Sequence, residues 1–316
     1  MNKTAYLSGP MRGFEQWNFP AFDRNAKFLR DQGWNIISPA EVDRSLGFDE
    51  TDPNAVFTDA DFQRAIRRDY AALLECDSII FMPGWEKSTG AILESNFANV
   101  LKLDRYRVDA DKNYFEKELI LGLTGFARSG KDSIAQEFVQ NDGFQRIGFA
   151  DSLKKVLYAL NPIVGKGWRD GGWVSNDRVQ ENVDIFGWEN VKSVKEIREL
   201  LQRLGTEGGR QALGEDIWVK TLFNSPTQAR IIIPDVRFAN EAAEIQRRGG
   251  KVIRVMRPGV GPANDHASEQ IDFDVDFTVQ NDRTPKEAYL DVKEFLMHQG
   301  EFLLSSETGL PSYSLV

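Results

Sequence analysis

Apolar and polar positions alternate along the chain in two rhythms. Short apolar runs suit buried strands, and stretches with a period near 3.6 suit amphipathic helices. Thr4 to Gly9 predicts a strand that ends in Ser8-Gly9-Pro10-Met11-Arg12-Gly13. Asn18 to Gln32 predicts a helix with Phe19, Phe22, Ala26 and Leu29 on one face and Gly33 as its stop. Asn35 to Ser38 reads as a second strand closed by Pro39, and Asp43 to Asp59 as a polar loop. Asp61 to Glu75 reads as a helix, Asp77 to Met82 as a strand, and Ser88 to Leu101 as another helix. Asp104 to Lys117 is charged and poor in apolar residues, and is taken as a linker.

The same alternation resumes beyond it. Strands are predicted at Glu118 to Leu123, Phe144 to Phe149, Arg230 to Pro234, Lys251 to Met256 and Phe277 to Gln280. Helices are predicted from Asp132, through Leu160, over Val194 to Leu204, over Asn240 to Arg248, and after Thr284-Pro285-Lys286-Glu287. Pro162 to Val191, with five glycines and Trp168, Trp173 and Trp188, reads as a long irregular stretch suited to a lid. Strands alternating with helices imply an α/β protein with parallel sheets, whose ligands sit at the carboxyl ends of strands. The expected division is residues 1–112, residues 113–300, and a flexible tail at 301–316.

Composition narrows the function classes. The 316 residues carry a net charge of −9, which argues against electrostatic binding of duplex nucleic acid. One cysteine, Cys76, rules out a disulfide framework, and two histidines with one cysteine cannot build a usual zinc site. With no signal peptide and no long apolar run, a cytoplasmic protein with no membrane partner is expected.

The strongest motif is Gly125-Phe-Ala-Arg128-Ser129-Gly130-Lys131-Asp132-Ser133, placed between a strand and a helix. Glycines bracketing four residues before a lysine let successive N–H groups turn toward anionic oxygens, and the helix adds its positive end. Gly125, Arg128, Ser129, Gly130, Lys131, Asp132 and Ser133 are therefore candidate phosphate-binding residues. Asp132 stands where Ser or Thr is usual and Ser133 follows, so both are candidates for a magnesium ion. An apolar strand ending in Asp235-Val236-Arg237 is the usual partner of such a loop, and Asp235 joins the magnesium candidates.

The first third carries a different constellation. Ser8 and Arg12 follow its first strand, and Ser88, Thr89 and Gly90 open its last helix, with Glu94 six residues after Ser88 and Asp69 on the preceding helix. Two carboxylates near two anion sites suit glycosidic chemistry, one as nucleophile and one as acid or base. By spacing alone, Asp69 and Glu94 read equally as solvated helix residues, and Ser88 as a helix cap.

Tyr6-Leu-Ser-Gly-Pro-Met-Arg12-Gly13, Asn35-Ile-Ile-Ser-Pro39, Cys76-Asp77 and Pro83-Gly-Trp-Glu-Lys-Ser88-Thr-Gly90-Ala-Ile-Leu-Glu94 resemble the domain called DUF4406 over about residues 1 to 108. That domain is similar to nucleoside 2-deoxyribosyltransferases and deoxynucleoside 5′-phosphate N-hydrolases, and implies a flavodoxin-like fold. The resemblance implies that Ser8, Arg12 and Ser88 grip a 5′-phosphate, that Glu94 is the nucleophile, that Asp69 assists it, and that Tyr6 orients it. The Pro83-Gly-Trp-Glu segment departs from the N-hydrolases and leaves cleavage open.

Residues 117 to 298 resemble phage deoxynucleoside monophosphate kinases. The resemblance rests on the Arg128 to Ser133 loop, Phe149-Ala-Asp151-Ser-Leu-Lys154, Gly187-Trp188-Glu189, Arg198, Leu200 to Glu207, Arg210, Asp216-Ile-Trp218, Pro234 to Glu241, Arg254 to Pro258 and His266-Ala-Ser-Glu269. It implies a P-loop kinase fold and transfer of the ATP γ-phosphoryl group to a deoxynucleoside monophosphate, with Mg2+. Lys131, Asp235 and Arg237 are its expected catalytic residues. Asp151, Lys154, Arg198, Glu207, Arg210, His266 and Glu269 are its expected acceptor residues. A homodimer is compatible with this reading. The alternative is a P-loop ATPase switch with an N-terminal nucleotide-sensing module.

Overall fold

The computed structural model describes residues 3–52, 56–164, 166–169, 172–175, 178–191, 194–225, 227–261 and 271–299, with backbone only for 166–169 and 172–175. It holds two α/β units, each built on a five-stranded sheet that is mostly or wholly parallel. His266, Glu269 and the 301–316 tail lie outside the described residues. Among the described residues no helix is long and apolar enough to cross a membrane.

The first sheet runs β2-β1-β3-β4-β5, from β1 (Thr4–Ser8), β2 (Asn35–Ile37), β3 (Ser78–Phe81), β4 (Asp104–Asp109) and β5 (Tyr114–Lys117). All pairings are parallel except β4 with β5. The order of strands switches sides at β1, with β2 on one side and β3 on the other, which opens a crevice at the carboxyl ends of β1 and β3. Alternation along β1 sends Ala5 and Leu7 into a core with helix α1 (Phe19–Arg30). Tyr6 belongs instead to the core on the opposite face, with helices α3 (Asp59–Leu74) and α4 (Thr89–Leu101). Thr58 and Asp61 form a capping box on α3, and Ser88 caps α4.

Two polar stretches prove ordered. Pro39 does not only close β2 but occupies the first turn of helix α2 (Pro39–Ser45), where its missing N–H costs nothing. The stretch expected to be a linker, Asp104 to Lys117, is largely the β4–β5 hairpin. Two of its charges are taken out of solvent by the residue that follows it: Arg105 and Arg107 both donate to Glu118, at 2.7 Å each. Its aromatics close on Trp34, with ring centroids 5.1 Å away at Tyr106 and 5.5 Å at Phe115.

The second sheet is wholly parallel and runs β12-β11-β6-β10-β7. Its strands are β6 (Leu119–Thr124), β7 (Gln145–Arg146), β10 (Arg230–Ile233), β11 (Lys251–Met256) and β12 (Phe277–Gln280). Leu119, Leu121 and Leu123 pack on helices α5 (Lys131–Asp142) and α11 (Pro285–His298). On the other face, Ile120 joins a core with helices α6 (Phe149–Leu160), α9 (Ile217–Phe223) and α10 (Ala239–Arg247). A Cβ on Gly122 would come within 2.7 Å of the end of the Ile245 side chain, so a larger residue there would displace that side chain of α10. The capping box read at Thr284 and Glu287 is present.

The stretch read as irregular contains an antiparallel pair, β8 (Lys166–Arg169) with β9 (Gly172–Ser175), and helix α7 (Val179–Val191). Gly187, at φ 72°, kinks α7 and breaks the spacing by which the helix could be recognised. Val179, Val183, Trp188 and Val191 nonetheless pack with Leu157 of α6 and Ile197 of helix α8 (Lys195–Arg203). A π-helix, Leu204–Gln211, continues α8. Its Gly209 lies against Trp218, where a Cβ would stand 2.5 Å from the indole.

Candidate functional site

The first unit gathers its candidate residues at the β1/β3 crevice. Tyr6 and Ser8 are two apart on β1, so both side chains face α3 and α4. Glu94 meets them from α4, on the buried stripe formed by Ala91, Glu94, Ser95 and Ala98. Ser8 Oγ donates to Glu94 Oε2 at 2.5 Å, and Tyr6 Oη donates to Glu94 Oε1 at 3.2 Å. Asp69 is buried next to Tyr6, on the inward face of α3.

Burial is the main force on this pair. It pushes the Glu94 carboxyl up to about 8, with the Asp69 charge adding to the rise and the Ser8 and Tyr6 hydrogen bonds opposing it. Burial also raises Asp69 to about 6, against the pull of Arg68 and Tyr6. Two carboxyl groups so arranged hold one proton between them across that interval. One is then an acid while the other is a base.

A cavity of about 450 Å3 opens above them. Arg12, Asp69, Ser88, Gly90 and Glu94 all line it. The Arg12 guanidinium lies 4.9 Å from the Phe57 ring centroid and 4.8 Å from that of Phe62. Ser88 Oγ accepts from the Ala91 N–H at 3.4 Å, capping a helix whose amino end faces the cavity.

The second unit builds its site from backbone. The Gly125 to Ser133 loop leaves the carboxyl end of β6, the central strand, and enters α5. Gly125 has φ 142°, and a Cβ there would lie 2.4 Å from the Val255 carbonyl oxygen. Gly130 has φ 101°, and a Cβ there would lie 2.0 Å from Asn281 Nδ2. Both glycines are therefore sterically required. Arg128 also sits at positive φ, 67°, a conformation that costs energy for a side-chain-bearing residue and concentrates at functional loops. Lys131 Nζ donates to the Gly125 and Phe126 carbonyls, at 2.7 Å each. The buried Ser129 and Thr124 hydroxyls have no hydrogen-bond partner among the described residues.

The remaining candidates spread around this loop. Both Asp235 oxygens accept from the amino end of α6, at 3.0 Å from Phe149 N and 2.9 Å from Ala150 N. Burial raises the Asp235 carboxyl, and those two hydrogen bonds oppose the rise. Asp132 is paired with Arg146 at 2.9 Å, and Ser133 is exposed on the first turn of α5. Arg210 is enclosed: it donates to Glu241 at 2.5 Å and lies 3.9 Å above the Phe238 ring centroid. Glu207 pairs with Arg203 at 3.3 Å, and Lys154 with Asp151 at 3.5 Å. Arg198 and Arg237 have exposed side chains. Trp188 packs against the helical core rather than opening to a base.

The loop with its two orphan hydroxyls suits phosphate groups. A magnesium ion needs few protein ligands, because waters and phosphate oxygens complete its shell. Of the three residues expected to serve it, Ser133 is exposed beside the loop, Asp132 is paired with Arg146, and the Asp235 oxygens already accept two N–H groups. Among the described residues, no group of three or more His, Cys, Asp or Glu is positioned to hold a metal.

Some residues that shape these sites carry no motif. Asn281 Nδ2 donates to the Ser129 carbonyl at 2.7 Å and braces the loop from the end of β12. Arg146 stands among Asp132, Asp151 and Asp235; burial works against its charge, but the hydrogen bond to Asp132 and the three carboxylate fields raise its pKa. Glu118 ties the units together: it accepts from Arg105 and Arg107, and Arg107 reaches on to the carbonyl and hydroxyl of Thr227. None of these has a spacing signal, because each partner lies far away in sequence. Glu94 does have one, as a carboxylate on an otherwise small, buried helix stripe.

Comparison with known proteins finds relatives of each part of the chain. Residues 3–105 match the family model described as a domain of unknown function, DUF4406. Residues 174–290 match the model described as deoxynucleotide monophosphate kinase, a stretch that begins after the glycine loop. A protein of Acanthamoeba polyphaga mimivirus named "Putative deoxynucleotide monophosphate kinase" is 28% identical over 191 residues, covering 54% of this chain and 92% of its own length. An APS kinase of Mycobacterium tuberculosis overlaps 57% of this chain and 97% of its own, at 17% identity and a TM-score of 0.27. A shikimate kinase of Aquifex aeolicus overlaps 58% and 98%, at 11% identity and a TM-score of 0.32. Structural overlaps with scores this low carry no argument about function. The chain is thus similar, in order, to the DUF4406 model over residues 3–105 and to the deoxynucleotide monophosphate kinase model over residues 174–290.

Proposed function

We propose that the second unit transfers the γ-phosphoryl group of ATP to a deoxynucleoside monophosphate, and that the first unit binds a deoxynucleotide with its glycosidic bond against Glu94. The observation that carries the kinase reading is the loop at the end of β6, where Gly125 and Gly130 are sterically obligatory and Lys131 lies over the loop carbonyls. The family match over residues 174–290 supports deoxynucleotides as acceptors.

In this reading an acceptor phosphate oxygen attacks the γ-phosphorus, and the bond to the β–γ bridging oxygen breaks. The products are ADP and a deoxynucleoside diphosphate. Such a transfer needs positioning and charge neutralisation more than covalent catalysis. Loop N–H groups hold the β- and γ-phosphates, and Lys131 turns from the Gly125 and Phe126 carbonyls to the transferred group. A magnesium ion, held by Ser133 and Asp132, would neutralise charge on the phosphate oxygens. Arg237 and Arg198 are the exposed cations for the acceptor side. Arg210 acts indirectly, by fixing Glu241, which in turn accepts from the Arg237 N–H at 2.8 Å.

In the first unit, the phosphate lies by Arg12, Ser88 and the amino end of α4. With the pair's one proton moved to Asp69, Glu94, oriented by Tyr6 and Ser8, attacks the anomeric carbon as a carboxylate. The base departs with a proton supplied by the carboxyl pair, and water then hydrolyses the glycosyl ester. A filter that cleaves one base's nucleotide while phosphorylating another's would reconcile the two activities in one chain.

The test is one incubation of the full chain with ATP, magnesium and each deoxynucleoside monophosphate, with products resolved by chromatography. Diphosphate with ADP is the expected result, and free base with 2-deoxyribose 5-phosphate is expected for at least one nucleotide. Diphosphate without free base would reduce the first unit to a binding module. ADP with neither product would replace the kinase by an ATPase switch with a nucleotide sensor. Equal action of both units on one shared nucleotide would sink the filter.

A further inference from the structure

The first unit's cavity holds an ion pair that the proposed glycosidic chemistry does not use. Arg68, next to Asp69 on α3, donates from Nη2 to Asp43 Oδ1 at 2.6 Å. Its Nε lies 3.8 Å from Asp69 Oδ1 and is buried with no hydrogen-bond partner among the described residues. Both Arg68 and Asp43 line the cavity. The Arg68 side chain keeps 29% of its surface accessible at the cavity wall, so a ligand there meets a guanidinium held between two carboxylates.

The neighbourhood of the pair is aromatic. The Phe48 N–H donates to the Asp43 carbonyl at 3.1 Å, which fixes Asp43 beside a cluster of rings. Trp17 lies 5.4 Å from Phe48 and 6.1 Å from Phe57, centroid to centroid, and all three line the cavity. Flat apolar walls beside a donor and an acceptor held side by side suit a planar heterocycle with a polar edge. The order of groups fits as well. Glu94 meets Tyr6, Tyr6 adjoins Asp69, Asp69 adjoins Arg68, and Arg68 meets Asp43. An anomeric carbon at Glu94 would direct its base along this line.

We propose that Asp43 and Arg68 read the hydrogen-bonding edge of a nucleobase stacked against Trp17, Phe48 and Phe57, and so select which deoxynucleotide the first unit accepts. Asp43 accepts a base N–H, while Arg68 donates to a neighbouring carbonyl or ring nitrogen. Cytosine, adenine and guanine, each with an amino group next to a ring-nitrogen acceptor, match this pair better than thymine, which has no amino group. The inference rests on the first unit being a deoxynucleotide site.

Calorimetric titration of the full chain, without ATP, tests it. The probes are the four deoxynucleoside monophosphates and 2-deoxyribose 5-phosphate, which has no base. The first-unit component is the heat lost in Ser88→Asp, where a negative charge opposes a phosphate. The expected result is that the component of at least one amino-bearing nucleotide, dCMP, dAMP or dGMP, leads that of dTMP about tenfold. Asp43→Asn and Arg68→Gln should each flatten that ranking about tenfold, with 2-deoxyribose 5-phosphate binding changed less than twofold. Arg68→Lys, which keeps the charge but not the fork, should flatten it too. Equal losses for all probes would show a pair that only supports the fold and would overturn the proposal. An unchanged ranking in correctly folded variants, or a wild-type preference for dTMP, would also overturn it. No difference in heat between wild type and Ser88→Asp would remove the nucleotide site itself, and the base-reading pair with it.

Discussion

The two units place their candidate sites alike, at the carboxyl ends of central parallel strands, but make them of different material. In the second unit the loop geometry is set by Gly125 and Gly130, and the groups offered to a phosphate are largely backbone N–H. In the first, four side chains from three elements converge: Tyr6 and Ser8 from β1, Asp69 from α3 and Glu94 from α4. Backbone N–H groups do not titrate, whereas buried carboxyls do. A loop site therefore depends on steric permission, and a side-chain site on burial and protonation.

The sharpest way to break this comparison is to disable one site and watch the other. Lys131→Ala is expected to lower phosphoryl transfer by about a thousandfold or more, and to leave free-base release unchanged, in parallel product assays. Full kinase activity in that variant would refute the assigned loop. Glu94→Gln is expected to do the reverse, lowering base release by roughly a hundred- to ten-thousandfold with the kinase rate intact.

Glu118 joins the units and is buried between Arg105 and Arg107, whose charges hold its carboxyl below the usual range despite the cost of burial. Removing one partner of such a buried network leaves charge uncompensated, at a cost of about 3–5 kcal/mol. Glu118→Gln should lower the urea midpoint accordingly. A change within the error of the wild-type midpoint would mean that the arginines find water instead.

The pH dependence separates the units further. The Glu94 and Asp69 carboxyls are raised in the folded state, to about 8 and about 6. Folded protein then binds more protons than unfolded protein, between about pH 4 and 6 at Asp69 and about pH 4.5 and 8 at Glu94. Stability of the first unit should therefore fall as pH rises from about 4 to 8, and Glu94→Gln should flatten the upper part of that slope in thermal melts. Base release should carry the titration of this pair, while loop function should not. The smallest effect is expected at Arg146→Ala. Its pair with Asp132 is half-exposed to exposed, so stability should change by less than about 1 kcal/mol in the same melts.

The same contrast explains what could be read from residues alone. The spacing of Gly125, Gly130 and Lys131 states a backbone path directly, and the apolar runs at Leu119 to Leu123 and Ile231 to Ile233 announce central strands. The Thr284 capping box likewise needs only four consecutive residues. Local chemistry with local consequences is legible. Asp104 to Lys117 was not, because charge counts as exposure until its partners are known, and Arg105, Arg107 and Glu118 are partners only once β4, β5 and β6 are in place. Helix α7 was hidden for the opposite reason, since Gly187 looks like a break although the packing of Val179, Val183 and Val191 carries the helix through it.

By itself, then, the sequence determined the two α/β units, the glycine loop between β6 and α5, and the presence of carboxylates near the first crevice. Only the tertiary structure decided which charges are spent on one another. It turned Arg210 toward Glu241, Asp235 toward the amino end of α6, and Glu94 toward Tyr6 and Ser8. The reason is that a buried charge must find a partner wherever the fold supplies one, and that partner is a matter of distance in space rather than along the chain.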